Sequence, residues 1–193
     1  MYKLRTKLVF SLFILISQIA FGQGLKIGVQ FGWGIPQGGV FTAEDEDLAS
    51  GGIAIEGEAL YIFEDFDEKL GVGIGANSSF IFGQNSSAGL DVGIYGLSVY
   101  GVKGYYKFFD SKVSPYGSLT LGLSRFSTPT VSSGGTVVVE GQTNNGLGIR
   151  PEIGIELGSF IMSAAYVVPM KYKLLDKSAG ILQISVGYRY SNL

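Results

Sequence analysis

Near the end of the chain, the stretch from Ile181 to Tyr190 alternates without a break. Leu182, Ile184, Val186, Tyr188 and Tyr190 are apolar or aromatic, and Gln183, Ser185, Gly187 and Arg189 between them are polar or small. A β-strand sends successive side chains to opposite faces, so this segment has one oily face and one face with a formal charge. In a soluble barrel the oily face would turn inward. In a membrane barrel it faces lipid and the charged face lines the interior.

The same period recurs along the chain, which reads as eight strands. The first, Leu25 to Ile35, sets Leu25, Ile27, Val29, Phe31, Trp33 and Ile35 against Lys26, Gly28, Gln30, Gly32 and Gly34. The second, Ile53 to Phe63, places Glu56 and Glu58 opposite Ile53, Ile55, Tyr61 and Phe63, and the third, Leu70 to Phe82, opposes Val72, Ile74, Phe80 and Phe82 to Gly71, Gly73, Gly75, Asn77 and Ser79. The fourth, Ile94 to Phe108, has a clear register only in its second half, where Tyr100, Val102, Tyr106 and Phe108 oppose Lys103, Tyr105 and Lys107. Tyr116 to Phe126 and Gly146 to Leu157 follow, the latter with Arg150, Glu152 and Glu156 on one face. Phe160 to Met170 is apolar on both faces. Pro151 removes a ladder hydrogen bond, and a bulge is expected there.

The connectors alternate in length. Residues 64–69, 109–112 and Gly158-Ser159 are turns, whereas 36–52, 83–93, 127–145 and 171–180 are longer and rich in Gly, Ser, Thr and Asn. Short turns at one end and long loops at the other characterise up-and-down membrane barrels. Segment length agrees, because a tilted strand needs about 9–11 residues to cross a bilayer, against roughly 5–6 in ordinary strands.

Charge placement is the strongest discriminator. Lys26, Glu56, Glu58, Lys103, Lys107, Arg150, Glu152, Glu156 and Arg189 all fall on the face opposite the oily one, and are expected to form a polar network in the lumen. A Lys or Arg facing lipid at the midplane costs about 2–4 kcal/mol, so a membrane barrel requires this segregation. A soluble barrel of eight strands would have to enclose every aromatic of the oily faces, which its narrow interior does not allow. Trp33, Phe80, Phe82 and Phe126 near the long-loop ends, and Tyr61, Phe63, Tyr106, Phe108, Tyr188 and Tyr190 near the turn ends, are expected to form two interfacial girdles.

Lys3, Arg5 and Lys7, the apolar run Leu8 to Phe21 and the small-x-small triplet Ala20-Phe21-Gly22 read as a cleavable signal peptide over residues 1–22. The barrel domain is then 23–193, exported through the Sec pathway. Removing that leader leaves 11 basic residues against 16 acidic ones, a balance that gives no basic surface for nucleic acid. Zero cysteines mean that the fold is stable without disulfides. The 30 glycines are about twice the usual ~7% share and sit within the alternating segments, as at bends and narrow interiors.

On these features the chain resembles the small outer-membrane β-barrel family of OmpA-like and OmpX-like proteins. Its closing segment, Ser185-Val186-Gly187-Tyr188-Arg189-Tyr190, resembles the C-terminal signal read by the outer-membrane assembly machinery, although Ser191-Asn192-Leu193 follow the last tyrosine. The resemblance implies an all-β, eight-stranded, antiparallel, up-and-down transmembrane barrel in the outer membrane of a Gram-negative cell. It is expected to be a monomer, surrounded by outer-membrane lipid and lipopolysaccharide, with both termini on the periplasmic side. No peptidoglycan-binding tail follows the final strand, so cell-wall tethering is not expected.

Without histidine or cysteine, Ser-His-Asp, Cys-His and His-ligated zinc chemistry are excluded, and no enzyme, cofactor or metal is expected. Glu56, Glu58, Glu152 and Glu156 could make an acid/base pair, but salt bridges filling the lumen are the favoured use. Gly71-Val72-Gly73-Ile74-Gly75-Ala76 has no following helix to cradle a phosphate and reads as strand glycines. Glu44-Asp45-Glu46-Asp47 reads as a solvated acidic loop before a divalent-cation site, and Thr136 to Glu140 as a protruding hairpin before an adhesive strand edge. The expected role is structural or surface-interacting. A small porin-like channel and a soluble periplasmic or secreted lipocalin-like binder are the alternatives.

Overall fold

A computed structural model describes residues 24–43, 46–63, 66, 68–84, 89–170 and 178–191 of the chain. The expected signal peptide lies outside the described residues. Eight long strands form one closed antiparallel barrel. They are β1 Leu25–Gln37, β2 Ala49–Ile62, β3 Leu70–Gly83, β4 Ile94–Lys107, β5 Val113–Ser127, β6 Thr143–Leu157, β7 Phe160–Met170 and β8 Gly180–Ser191. Each pairs with its sequence neighbours, and β1 closes on β8 from Lys26 opposite Ser191 to Gln37 opposite Gly180. Closure pairs the backbone groups that an open sheet would leave along its edges.

The turn end is compact. Gly158, at φ 66°, takes the left-handed conformation that lets two residues reverse the chain between β6 and β7. At the other end the loops have structure of their own. The first folds a short 3-10 turn, Gly39–Phe41, into the barrel mouth, where Phe41 meets Tyr95 edge-on at 5.1 Å and Phe126 at 6.2 Å. The second and third loops join in a three-stranded sheet of Leu90–Val92, Val131–Ser133 and Thr136–Val139, with Val131–Ser133 in the middle. Thr136–Val139 is thus the outer strand of a protruding hairpin, its valines exposed. Glu46–Asp47 pairs with Thr42–Ala43; Glu44 and Asp45 lie outside the described residues.

Inside the barrel, two apolar layers enclose a polar one. Ile81, Tyr95, Leu97, Val99, Phe126, Val167 and Ile181 pack with Phe41 toward the long loops, and Leu60, Ile62 and Ile161 pack with Tyr105 and Tyr116 toward the turns. These layers explain why the first half of β4 and all of β7 lack an evident polar face. There the inward residues are Tyr95, Leu97 and Val99, and Ile161, Ala165 and Val167 with the single small polar Ser163 between them, so hydropathy does not separate inside from outside.

Outside, the pattern runs the other way. Ile27, Phe31, Trp33, Ile74, Val102, Leu123, Ile153 and Ile184 are each more than half exposed and together encircle the wall. Aromatic pairs edge this belt: Trp33 with Phe82 near the long loops, and Tyr61 with Phe63, Tyr106 with Phe108 and Phe160 with Tyr188 near the turns. An apolar surface of this extent is foreign to a protein bathed in water and suits hydrocarbon.

Three expectations need correction. Phe126 is fully buried and points into the barrel rather than joining a girdle, because the apolar layer beneath the long loops needs a large ring there. No bulge forms at Pro151. The β5–β6 ladder runs through it without a shift, while the β6–β7 ladder omits the rungs at Arg150 and Pro151 and resumes in the same register at Glu152 opposite Ala165. Leaving out a rung accommodates the missing N–H without an extra residue. Finally, the segregation of in-strand charge has one exception, Arg125 of β5, which points outward and is exposed.

Inward and outward rings should answer differently to truncation. Phe126→Ala is expected to lower stability by about 3–5 kcal/mol, as for other buried phenylalanines, while Phe80→Ala on the outer wall costs clearly less. Urea unfolding from lipid vesicles followed by tyrosine and tryptophan fluorescence compares the two.

Candidate functional site

The central layer of the interior is a polar network to which every strand contributes, its ions standing on β1, β2, β4, β6 and β8. Lys103 of β4 is fully buried, and its Nζ sits 2.6 Å from Glu56, 2.5 Å from Glu58 and 3.2 Å from Glu152. Arg150 of β6 pairs with Glu56 at 2.5 Å and with Glu152. Arg189 of β8 pairs with Glu58 at 2.5 Å and with Glu156, and Lys26 of β1 reaches Glu156 at 3.7 Å. Four cations thus meet four carboxylates, so this cluster is formally neutral. Neutrality matters, since an unpaired ion in a water-poor interior costs several kcal/mol.

Uncharged side chains complete it. Gln30 donates to Glu56 at 3.2 Å and to Glu152 at 3.3 Å, and accepts from Ser163 at 2.7 Å. Gln183 accepts from Arg150 Nε at 3.1 Å and donates to Asn77 at 2.9 Å and Ser79 at 2.6 Å. The hydroxyls of Tyr105 and Tyr116 donate to Glu156 and Glu152 at 2.7 and 2.6 Å. Both rings also flank the Arg189 guanidinium, whose carbon lies 4.9 Å from each ring centre, within cation–π range. Through these contacts all eight strands are tied across the lumen.

Glycine makes one of these ties possible. Gly28 of β1 lies between Glu58 of β2 and Arg189 of β8 in the register, and these two side chains bond to each other over it. A Cβ at Gly28 would stand 2.5 Å from Glu58 Oε1, so any larger residue would displace the carboxylate.

Of the nine charged residues expected in the lumen, the structure brings together Lys26, Glu56, Glu58, Lys103, Arg150, Glu152, Glu156 and Arg189. Lys107 stands apart at the turn end, where its Nζ donates to Asp110 at 2.9 Å and holds that carboxyl below its ordinary range. Gln30, Asn77, Ser163, Gln183, Tyr105 and Tyr116 were not singled out from the sequence. Strand parity puts all of them but Ser163, whose strand shows no polar face, on the inner face, but without charge they resemble any other strand residue. Each network carboxylate is engaged by a cation, and among the described residues no group of acidic side chains has a metal-binding arrangement.

No family model matches the sequence, and no curated protein matches it. Solved structures do match in fold. Neisserial surface protein A shares 21% identity, with a TM-score of 0.57 over 88% of this chain and 97% of that one. The attachment invasion locus protein Ail of Yersinia pestis, crystallised with the heparin analogue sucrose octasulfate, shares 19% at a TM-score of 0.54, over 88% of this chain and all of that one. The backbone structure of Ail in a phospholipid bilayer nanodisc gives a TM-score of 0.51 at 15% identity, over 87% and 100% of the two chains. The fold of this chain is that of the small eight-stranded outer-membrane β-barrels.

Removing one charge should be worse than removing a pair. Lys103→Met takes one of two cations from each of Glu56, Glu58 and Glu152, leaves the cluster with one uncompensated negative charge and is expected to cost about 3–5 kcal/mol, with part of the loss recovered in Lys103→Met/Glu152→Gln. Lys107→Met should change little. Equilibrium unfolding of the three variants in vesicles checks the order.

Proposed function

We propose that this protein is an integral outer-membrane barrel of a Gram-negative envelope, with a filled, non-conducting lumen and a structural or surface-interaction role. The observation that supports this most is the inversion of its two surfaces: charge is buried and neutralised inside, while a predominantly oily belt is left outside. A soluble binding barrel would place its apolar residues around a ligand cavity. Here the apolar residues inside pack against one another, above and below the ion network.

The same layering opposes a pore. An ion crossing the lumen would have to pass the cluster around Phe41, Tyr95 and Phe126, then displace paired Lys103, Arg150 and Arg189. Eight strands leave an interior that side chains just fill. The working surface is then the long-loop end, outside the cell, where the three-stranded sheet exposes Val137, Val138 and Val139 on its outer strand. Outer-membrane lipid, lipopolysaccharide and the assembly machinery that inserts such barrels are its expected partners. With no histidine or cysteine, the chain lacks the residues of the common hydrolytic sites, which suits a non-catalytic role.

Three measurements test the reading. The protein should fractionate with outer membranes and require detergent for release. On a gel, unheated and boiled samples should migrate differently, as closed membrane barrels do. In planar bilayers it should give no steady single-channel steps. Release without detergent overturns membrane insertion, and reproducible conductance steps replace the filled barrel with a channel.

A further inference from the structure

The outer wall is not uniformly apolar. At least two residues from a strand end, and leaving tyrosine and tryptophan aside, the outward-pointing polar side chains of the eight described strands are Ser78, Ser98, Arg125 and Asn145. These four are not scattered. Ser78 lies opposite Ser98, Ser98 opposite Arg125, and Arg125 opposite Asn145, a single row across β3, β4, β5 and β6. Followed the other way around the barrel, the same row passes through Ile55, Phe31 and Val186. The polar stripe therefore occupies one side only.

The row ends at the long-loop rim, since Arg125 and Asn145 are each two residues from the outer ends of their strands. A cation there costs little, because the penalty for Arg on the lipid face falls to about 0–1 kcal/mol near the interface. Ser127 and Thr143, hydroxyls 3.0 Å apart, sit just above it. On the inner side of the row, Ser78 bonds Ser98 at 3.0 Å and the Tyr100 hydroxyl at 3.1 Å. Beneath Arg125 and Asn145 is a shallow groove of about 460 Å³ lined by Tyr100, Leu123 and Leu147, the two leucines being 69% and 62% exposed. The notch is thus amphipathic, with donors at the rim and hydrocarbon-like walls toward the membrane interior.

We infer that this notch is a binding site for one outer-leaflet lipid with an anionic, phosphate-bearing headgroup. The guanidinium fork of Arg125 matches phosphate oxygens in a bidentate way, and the Asn145 amide and nearby hydroxyls supply further donors. No carboxylate lies in the row to compete. The apolar lining singles out a lipid over free phosphate, because an acyl chain leaving the headgroup runs down over Leu123 and Leu147. The site rests on the membrane-spanning reading and adds to it a fixed rotational face, the β3–β6 side, at which one lipid is held.

The test is native mass spectrometry of the detergent-purified, full barrel after incubation with phosphatidylglycerol, with zwitterionic phosphatidylcholine or with inorganic phosphate. Wild-type protein should retain one phosphatidylglycerol in preference to phosphatidylcholine. Arg125→Gln should lower that occupancy at least fivefold, Lys112→Gln in the opposite-end turn should leave it unchanged, and inorganic phosphate should not displace the lipid. Equal retention by Arg125→Gln, or displacement by phosphate at equal concentration, overturns the site. Both proteins are first inserted into vesicles and checked for the heat-dependent gel shift. A wild type that fails to insert sinks the membrane reading and the site together, whereas one that inserts but shows no Arg125 dependence sinks the site alone.

Discussion

Where no water is available to the backbone, every N–H and C=O must be satisfied by the chain itself, and in this fold the pairing of β1 with β8 provides that. Closing the sheet at eight strands sets the rest. It fixes an interior only as wide as its side chains, and it forces alternate residues of every strand into that space while the others face outward. Charge, ring and glycine placement are all consequences of packing a narrow cylinder whose two surfaces have opposite solvents.

Within the cylinder, the difficulty is the cost of ions away from water. The chain meets it by matching cations to carboxylates and by drawing on Gln30, Gln183, Tyr105 and Tyr116 to occupy the remaining donors and acceptors. Small inward residues are as necessary as the charged ones. Gly28 leaves the gap over which Glu58 and Arg189 meet, and the facing Gly101 and Gly122 approach so closely that a Cβ on either would lie 2.0 Å from a carbonyl oxygen of the other strand. The apolar layers at each end, one including Phe41 from the first loop, restrict water from this cluster and so strengthen its pairings.

The barrel was legible in the sequence wherever the two faces differ in hydropathy. In β1, β2, β6 and β8 a charge or glycine alternates with an aliphatic or aromatic residue, and which face turns inward follows from that alone. In β7 and the first half of β4 both faces are oily, because apart from Ser163 their inward residues are apolar and carry no charge into the ion network. Phe126 was misplaced for the same reason: a ring near a strand end suits a girdle and an interior layer equally. Pro151 signals a lost hydrogen bond, but whether the ladder answers with a bulge or an omitted rung depends on the neighbouring strand. Arg125 escaped notice because it is the exception to a rule that its eight lumenal counterparts obey.

The sequence by itself determined the alternation of turns and long loops and the inner-face position of Lys26, Glu56, Glu58, Lys103, Arg150, Glu152, Glu156 and Arg189, since a period of two is a local property of an extended chain; that the strands close at eight was decided by the structure. Which cation meets which carboxylate was decided only by the tertiary structure. Those partners are brought together by closure and by the stagger of strands far apart in the chain, as Lys103 with Glu56, Glu58 and Glu152 illustrates. The same holds outside the barrel, where Ser78, Ser98, Arg125 and Asn145 are unrelated positions until the registers of four strands align them in one row.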